Sequence, residues 1–214
     1  MKQLYTILFD LDGTLVDTAP DLMRAHNYVM KKFGYPTKST EEIRNLVGQG
    51  AGAMLGRSIW GQAKKEFSKV QDDKIKKEMV NDFVDFYGKN IVNESTLIKG
   101  VKEFLIWAKQ NKISMGVCTN KQEHLAVDLL KKIGIYDFFE YVAGHNTFEY
   151  CKPDPRHLTS VVEILGGDIK KTLMIGDSET DANAAQSAGI PVILLEDGYT
   201  EKNTTEIYHN HLVK

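Results

Sequence analysis

Cysteine is nearly absent from this sequence: Cys118 and Cys151 are the only two in 214 residues. Two cysteines make no disulfide framework, so a reducing cytoplasm is the expected location. Long apolar runs are also missing. No stretch approaches the roughly 20 residues of a spanning helix, which argues against a membrane protein. The first apolar run is broken by Asp10 and Asp12, so it does not read as a signal peptide. Charge of one sign is lacking too. A formal net charge of −2 gives no overall pull toward nucleic acid or a membrane surface. Repeats and low-complexity tracts are absent.

What remains is ordinary for a soluble globular protein: 42% hydrophobic and 26% charged residues. The length allows one large domain, or one core plus an insertion. Tyr5 to Phe9 reads as a strand buried on both faces. Thr18 is placed to cap a helix with Pro20 in its first turn, carried by Leu22, Ala25, His26, Val29, Met30 and Phe33 and stopped by Gly34. His26 lies in that apolar stripe and reads as a packed histidine rather than a ligand. Ser39 and Glu42 form a capping box for a second helix expected through Val47. Gly48-Gln49-Gly50 then breaks the chain, a helix follows over Ala53 to Trp60, and a long amphipathic helix is expected from Asp72 to Asn90.

No strand pattern appears between Asp17 and Thr96, and from there the strand–helix rhythm resumes. Strands are expected at Ile113 to Cys118, Tyr141 to Gly144, Thr172 to Ile175 and Pro191 to Leu195. Helices are expected at Gly100 to Gln110, Gln122 to Ile133, Pro155 to Leu165 and Thr180 to Ala188. His211 to Val213 is a candidate edge strand, and His209 and His211 read as a solvated tail rather than a metal site. Alternation of this kind argues an α/β fold with a parallel sheet and helices on both faces. The helical block from 17 to 96 is an insertion between the first and second strands, leaving 1–16 and 97–214 as the core.

Polar residues gather at the ends of these strands, where open α/β sheets bind ligands. Asp10 and Asp12 follow the first strand and Gly13 allows a sharp turn. Thr119-Asn120 follows the second, Lys152-Pro153 precedes a helix, and Gly176-Asp177-Ser178 with Asp181 ends a further strand. Together Asp10-Leu11-Asp12-Gly13-Thr14, Thr119-Asn120, Lys152-Pro153 and Gly176-Asp177-Ser178 resemble the four motifs of the haloacid dehalogenase superfamily, in order and across essentially the whole chain. Val16 to Leu22, Thr119-Asn120-Lys121 and Asp197-Gly198-Tyr199 are most similar to phosphoglycolate phosphatases within it. The resemblance implies a Rossmann-like catalytic core, an inserted all-helical cap, and hydrolysis of a phosphomonoester, first of all 2-phosphoglycolate to glycolate and phosphate. Hydrolysis of a sugar phosphate or pyrophosphate, a β-phosphoglucomutase-like mutase, and a non-catalytic binding protein on the same fold are the alternatives.

On this reading Asp10 is the nucleophile and forms an aspartyl-phosphate. Asp12 protonates the leaving oxygen and later accepts a proton from water. Halogen-cleaving relatives lack that second acid. Asp10, the Asp12 backbone carbonyl and Asp177 make an all-oxygen set suited to Mg²⁺, and Asp181 holds a metal-bound water or Ser178. Thr119, Asn120 and Lys152 grip the phosphate. Lys121 meets either the acidic substrate or solvent. Gly48, Gln49 and Gly50 offer backbone N–H groups to a small anion, or serve only as a turn needing positive φ. The expected partner is a small phosphorylated metabolite, with the protein a monomer or homodimer. Cys118 and Cys151 each precede a phosphate grip; inert thiols are the simpler reading, a redox effect the other.

Overall fold

The computed structural model describes residues 5–60 and 73–214. Strand β1 (Thr6–Phe9) is buried throughout. It is followed by β2 (Val16–Asp17), then helices α1 (Ala19–Lys32), α2 (Thr40–Arg44), α3 (Ala51–Trp60) and α4 (Asp73–Lys89), and β3 (Thr96–Leu97). The second half alternates α5 (Val101–Gln110), β4 (Ser114–Cys118), α6 (Glu123–Ile133), β5 (Tyr141–Ala143), α7 (Arg156–Ile164), β6 (Thr172–Gly176), α8 (Glu179–Ala188), β7 (Val192–Leu195) and β8 (His211–Val213).

Six strands form one parallel sheet in the order β5-β4-β1-β6-β7-β8. The expected edge strand at His211–Val213 is therefore present. Strand β1 is interior. Phe9 pairs with Val117 of β4 on one side and Ile175 of β6 on the other. One step further along each strand, Asp10 stands level with Cys118 and Gly176, and Thr119 and Asp177 come next. Register alone thus delivers three of the four motifs to one sheet edge.

The period-2 alternation of β1 divides the core. Ile7 and Phe9 face one apolar layer with Leu105, Ala108, Leu129 and Leu130 of α5 and α6. Leu8 faces the other, with Leu158, Val161, Ala182 and Ala185 of α7 and α8. The first layer continues into the helices of the insertion through Leu22, Met30, Met54, Phe83 and Tyr87, so one apolar core supports both parts.

Two local expectations are corrected. Helix α2 ends at Arg44, with Asn45 as its C-cap, rather than at Val47, although the Ser39–Glu42 capping box forms. Thr18 precedes α1 but gives no side-chain cap; its hydroxyl is turned to Asp12 instead. The crossings between core and insertion carry a short pairing that no sequence pattern announces, Val16–Asp17 antiparallel with Thr96–Leu97. Two-residue strands carry too little sequence for a period to register. The expected start of α4 at Asp72 lies outside the described residues. A further tie beside the crossings is Asp21, whose buried Oδ2 accepts from the N–H groups of Asn93, Glu94 and Ser95 and from Ser95 Oγ at 2.8–3.0 Å.

Candidate active site

Asp10 begins where β1 stops, its N–H donating to Ile175 O at 2.9 Å. Lys152 reaches it from the loop before α7: Nζ donates to Asp10 Oδ1 at 2.7 Å and to Asp181 Oδ1 at 2.5 Å. All three groups are buried. Burial lowers the affinity of Lys152 for its proton, but the two carboxylates outweigh that and push its pKa up. The main chain at Lys152 is held in turn. Its N–H donates to His157 Nδ1 at 3.2 Å, and its carbonyl accepts from Asn120 Nδ2 at 2.9 Å.

Asp177 sits beside Asp10 and is enclosed by backbone. Thr14 Oγ1 donates to its Oδ1 at 3.0 Å, and the Tyr199 N–H donates to Oδ2 at 2.6 Å. Gly13 and Gly198 press close enough that a methyl group on either would overlap Asp177. Gly13 also has φ +81°, which L side chains rarely adopt. Asp181 is the reciprocal partner of Ser178 in a capping box at the start of α8. Its Oδ2 accepts from Ser178 N and Oγ at 3.1 and 2.7 Å.

Asp10, Asp177 and Asp181 each offer an oxygen within 4.8 Å of the others. Three buried carboxylates share one lysine, which leaves an uncompensated negative charge. The consequence shows in their proton affinities. Burial, followed by the opposing pull of Lys152 and then repulsion from Asp181, leaves the Asp10 pKa raised to about 7. Burial first, then Asp10 and Asp181, push Asp177 well above the carboxylate range. An all-oxygen, electron-rich cluster of this kind fits a hard divalent cation. Both oxygens of Asp181 and both of Asp177 already accept hydrogen bonds, whereas Lys152 engages only Oδ1 of Asp10.

The side chain of Asp12 is not part of that cluster. Lys121 Nζ donates to both its oxygens, at 2.7 and 2.8 Å, and Thr18 Oγ1 to Oδ1 at 2.7 Å. Lys121 is buried and lies 4.6 Å from the centre of the Tyr87 ring of α4. Of the two readings of Lys121, solvent is therefore excluded. Asn120 does not touch Asp10; its amide nitrogen donates to Gly48 O and Lys152 O, both at 2.9 Å. Thr119 is buried at the end of β4, its Oγ1 accepting from the Lys121 N–H at 3.1 Å.

A cavity of 270 Å³ opens between the sheet edge and the insertion. Asp10, Asp12, Thr119, Asn120 and Lys121 line its core side. Gly48, Gln49 and Gly50 line it with Phe83 and Tyr87 from the helical side. Gly48 and Gly50 take φ +104° and +84°, as the turn reading of this segment requires. Sequence reasoning gave Thr14 and Tyr199 no role of their own and read Thr18 only as a helix cap. Their hydroxyl and N–H groups fix the acids, yet the only signal was their place within the quoted motifs. Cys118 is buried and pushed up to about 12 by burial, while Cys151 is half-buried; both are free thiols.

A parallel α/β sheet that gathers Asp10, Asp12 and the buried Lys152 at the carboxyl ends of its strands is the arrangement expected of a haloacid dehalogenase-type hydrolase. Residues 7–195 match the haloacid dehalogenase-like hydrolase family. The chain belongs to that family, and it is an enzyme of the family's phosphatase branch. It is 40% identical over 197 residues to the phosphoglycolate phosphatase of Caulobacter vibrioides, covering 92% of this chain and 81% of that one. It is 36% identical over 200 residues to the phosphoglycolate phosphatase of Mesorhizobium japonicum, covering 94% and 86%. The crystal structure of a predicted phosphoglycolate phosphatase from Haemophilus somnus 129pt superposes with TM-score 0.89 at 31% identity, covering 99% of this chain and 94% of that one. Among the described residues no helix is long and apolar enough to cross a membrane.

Proposed function

We propose that this protein is a Mg²⁺-dependent phosphomonoester phosphatase acting on 2-phosphoglycolate, releasing glycolate and phosphate in the cytoplasm. The observation that carries the reading is Lys152 bridging Asp10 and Asp181 beside Asp177. That arrangement supplies a carboxylate nucleophile, a fixed cation and an acid cluster short of positive charge. The names of the curated relatives support the choice of substrate.

In the proposed reaction one Asp10 oxygen attacks phosphorus while Lys152 holds the other. The bond from phosphorus to the leaving oxygen breaks, and Asp12 gives that oxygen its proton, freeing glycolate. Asp12 then takes a proton from water as the water attacks the phosphorus of the aspartyl-phosphate. Phosphate leaves and Asp10 is regenerated. Thr119 and Lys152 steady the phosphoryl oxygens, and Asn120 fixes the loops around them. Asp10, the Asp12 carbonyl and Asp177 would hold Mg²⁺, which when bound neutralises the acid cluster and the phosphoryl charge. Residues 17–96 act as a cap that excludes water and reads the leaving group, with 1–16 and 97–214 as the catalytic core. The working unit is a monomer or homodimer.

Phosphate release from a panel of small phosphoesters, with Mg²⁺ and with chelator, tests this reading. Release from 2-phosphoglycolate ahead of sugar phosphates and pyrophosphate, abolished by chelator, is expected. Activity indifferent to chelator, or none on any ester, would overturn it.

A further inference from the structure

Among the described residues lining the cavity, Lys121 is the only lysine or arginine; Lys152 of the phosphoryl cluster is not among them. It is buried, and among the described residues its charged partner is Asp12, which it grips through both oxygens. A lysine carries no acceptor, and buried away from water it must be matched by an anion. Asp12 meets that need when the cavity holds no other anion. The same grip covers the oxygens through which Asp12 has to reach a leaving group, so the ion pair and the reaction compete for one carboxylate.

The wall around Lys121 has a second unmet need. Tyr87, over whose ring the ammonium lies, also lines the cavity, and its buried hydroxyl has no hydrogen-bond partner among the described residues. The buried Oδ1 of Asn120 is likewise without one. Buried polar atoms are normally paired. A hydroxyl donor and an ammonium on the same wall are complementary to an anion with several acceptor sites, such as a carboxylate. The neighbouring walls, Leu22, Phe83, Val84 and Leu125, are apolar and leave room for little else that is charged.

We propose that Lys121 is the specificity-determining residue for a carboxylate on the leaving group, and that Asp12 is its resting partner. The substrate carboxylate takes the ammonium, with Tyr87 as a second donor, and an Asp12 oxygen is thereby vacated for the leaving oxygen. No bond other than hydrogen bonds and ion pairs changes in this exchange. A phosphoester without the second anion leaves Lys121 on Asp12 and is turned over poorly. The inference rests on the phosphatase reading above and narrows its substrate class to small phosphoesters with an anionic leaving group.

The test compares kcat/KM for 2-phosphoglycolate and ethyl phosphate, which has the same number of carbons and no carboxylate, in the wild type, Lys121→Met and Tyr87→Phe, with Mg²⁺ present. The wild type is expected to prefer 2-phosphoglycolate by on the order of 100-fold or more. Lys121→Met should collapse most of that preference, and Tyr87→Phe should reduce it by about tenfold. A wild type that hydrolyses both esters equally well overturns the inference while the phosphatase reading stands, and this arm needs no variant to fold. Equal loss on both substrates in Lys121→Met also overturns it, since Lys121 would then only position Asp12. No release from any ester overturns the phosphatase reading and this inference with it.

Discussion

The backbone N–H of Tyr199 donates to Asp177 Oδ2 at 2.6 Å. The hydroxyl of the same residue donates to Asp17 Oδ1 and accepts from the Ala19 N–H, at the point where α1 begins. Arg44 of α2 pairs with Asp17 at 2.8 Å and lies over the Tyr199 ring. One residue thus connects an acid of the site, through its main chain, to the crossing and the insertion, through its side chain. Tyr199→Phe keeps the N–H and removes the hydroxyl. Loss of a buried, charge-assisted hydrogen bond is expected to cost about 1–3 kcal/mol by urea unfolding. Mg²⁺ affinity should be nearly unchanged, because the group that holds Asp177 is main chain. A large fall in metal affinity at unchanged stability would contradict this division.

Asp12 and Asp177 are expected to differ in kind. Asp12→Ala removes a side chain bound to Lys121 and Thr18, outside the acid cluster. Turnover should fall by about 100-fold or more, in line with loss of a general acid–base group, while Mg²⁺ still binds. Asp177→Ala should abolish Mg²⁺ binding as measured by calorimetry. Equal losses of metal affinity in the two variants would show the roles to be misassigned.

His157 sets a pH dependence of stability. Burial first, then the charge of Lys152, lower its pKa from 6.5 to about 4. Below pH 6.5 the unfolded chain takes up a proton that the folded chain refuses until about pH 4. Its contribution is therefore complete above pH 6.5 and is lost as the pH falls toward 4. The size is about 2 kcal/mol between pH 7 and pH 5. His157→Asn, which can still accept from the Lys152 N–H, should flatten the stability–pH curve by about that amount. Parallel curves for the two proteins would refute this.

Gly50 has φ +84°, and a methyl group there would lie 3.4 Å from the Asn120 carbonyl. Gly50→Val strains the turn on the cavity wall. It should reduce kcat/KM for 2-phosphoglycolate on the order of tenfold more than for a generic aryl phosphate. Taking the ratio removes any general loss of stability. Equal losses would assign the turn a structural role alone.

These residues also show how far the sequence can be read. Strands β1, β4 and β6 were legible because each is a short apolar run ended by a polar motif, and once β1 is interior, register brings those motifs together. Lys121 was undecided between solvent and substrate, because its burial depends on Tyr87, which lies 34 positions earlier in the chain and on another element. Thr18 looked like a helix cap and serves Asp12, since hydroxyl geometry is set by what stands opposite. Tyr199 was visible only as part of a resemblance, for its three contacts lie some 180 residues upstream or on the neighbouring strand end. Local pattern fixes elements; long-range contacts decide what their side chains do.

The central claim is that Asp10 carries the phosphoryl group. The direct measurement is an acid quench of the enzyme during turnover with labelled 2-phosphoglycolate and Mg²⁺, followed by borohydride reduction and peptide mapping. The account requires labelled, reducible acyl-phosphate on the peptide containing Asp10, converted by borohydride to homoserine at that position. Asp10→Asn, folded, should show neither label nor turnover. Label on another residue, or turnover retained by Asp10→Asn, would contradict it.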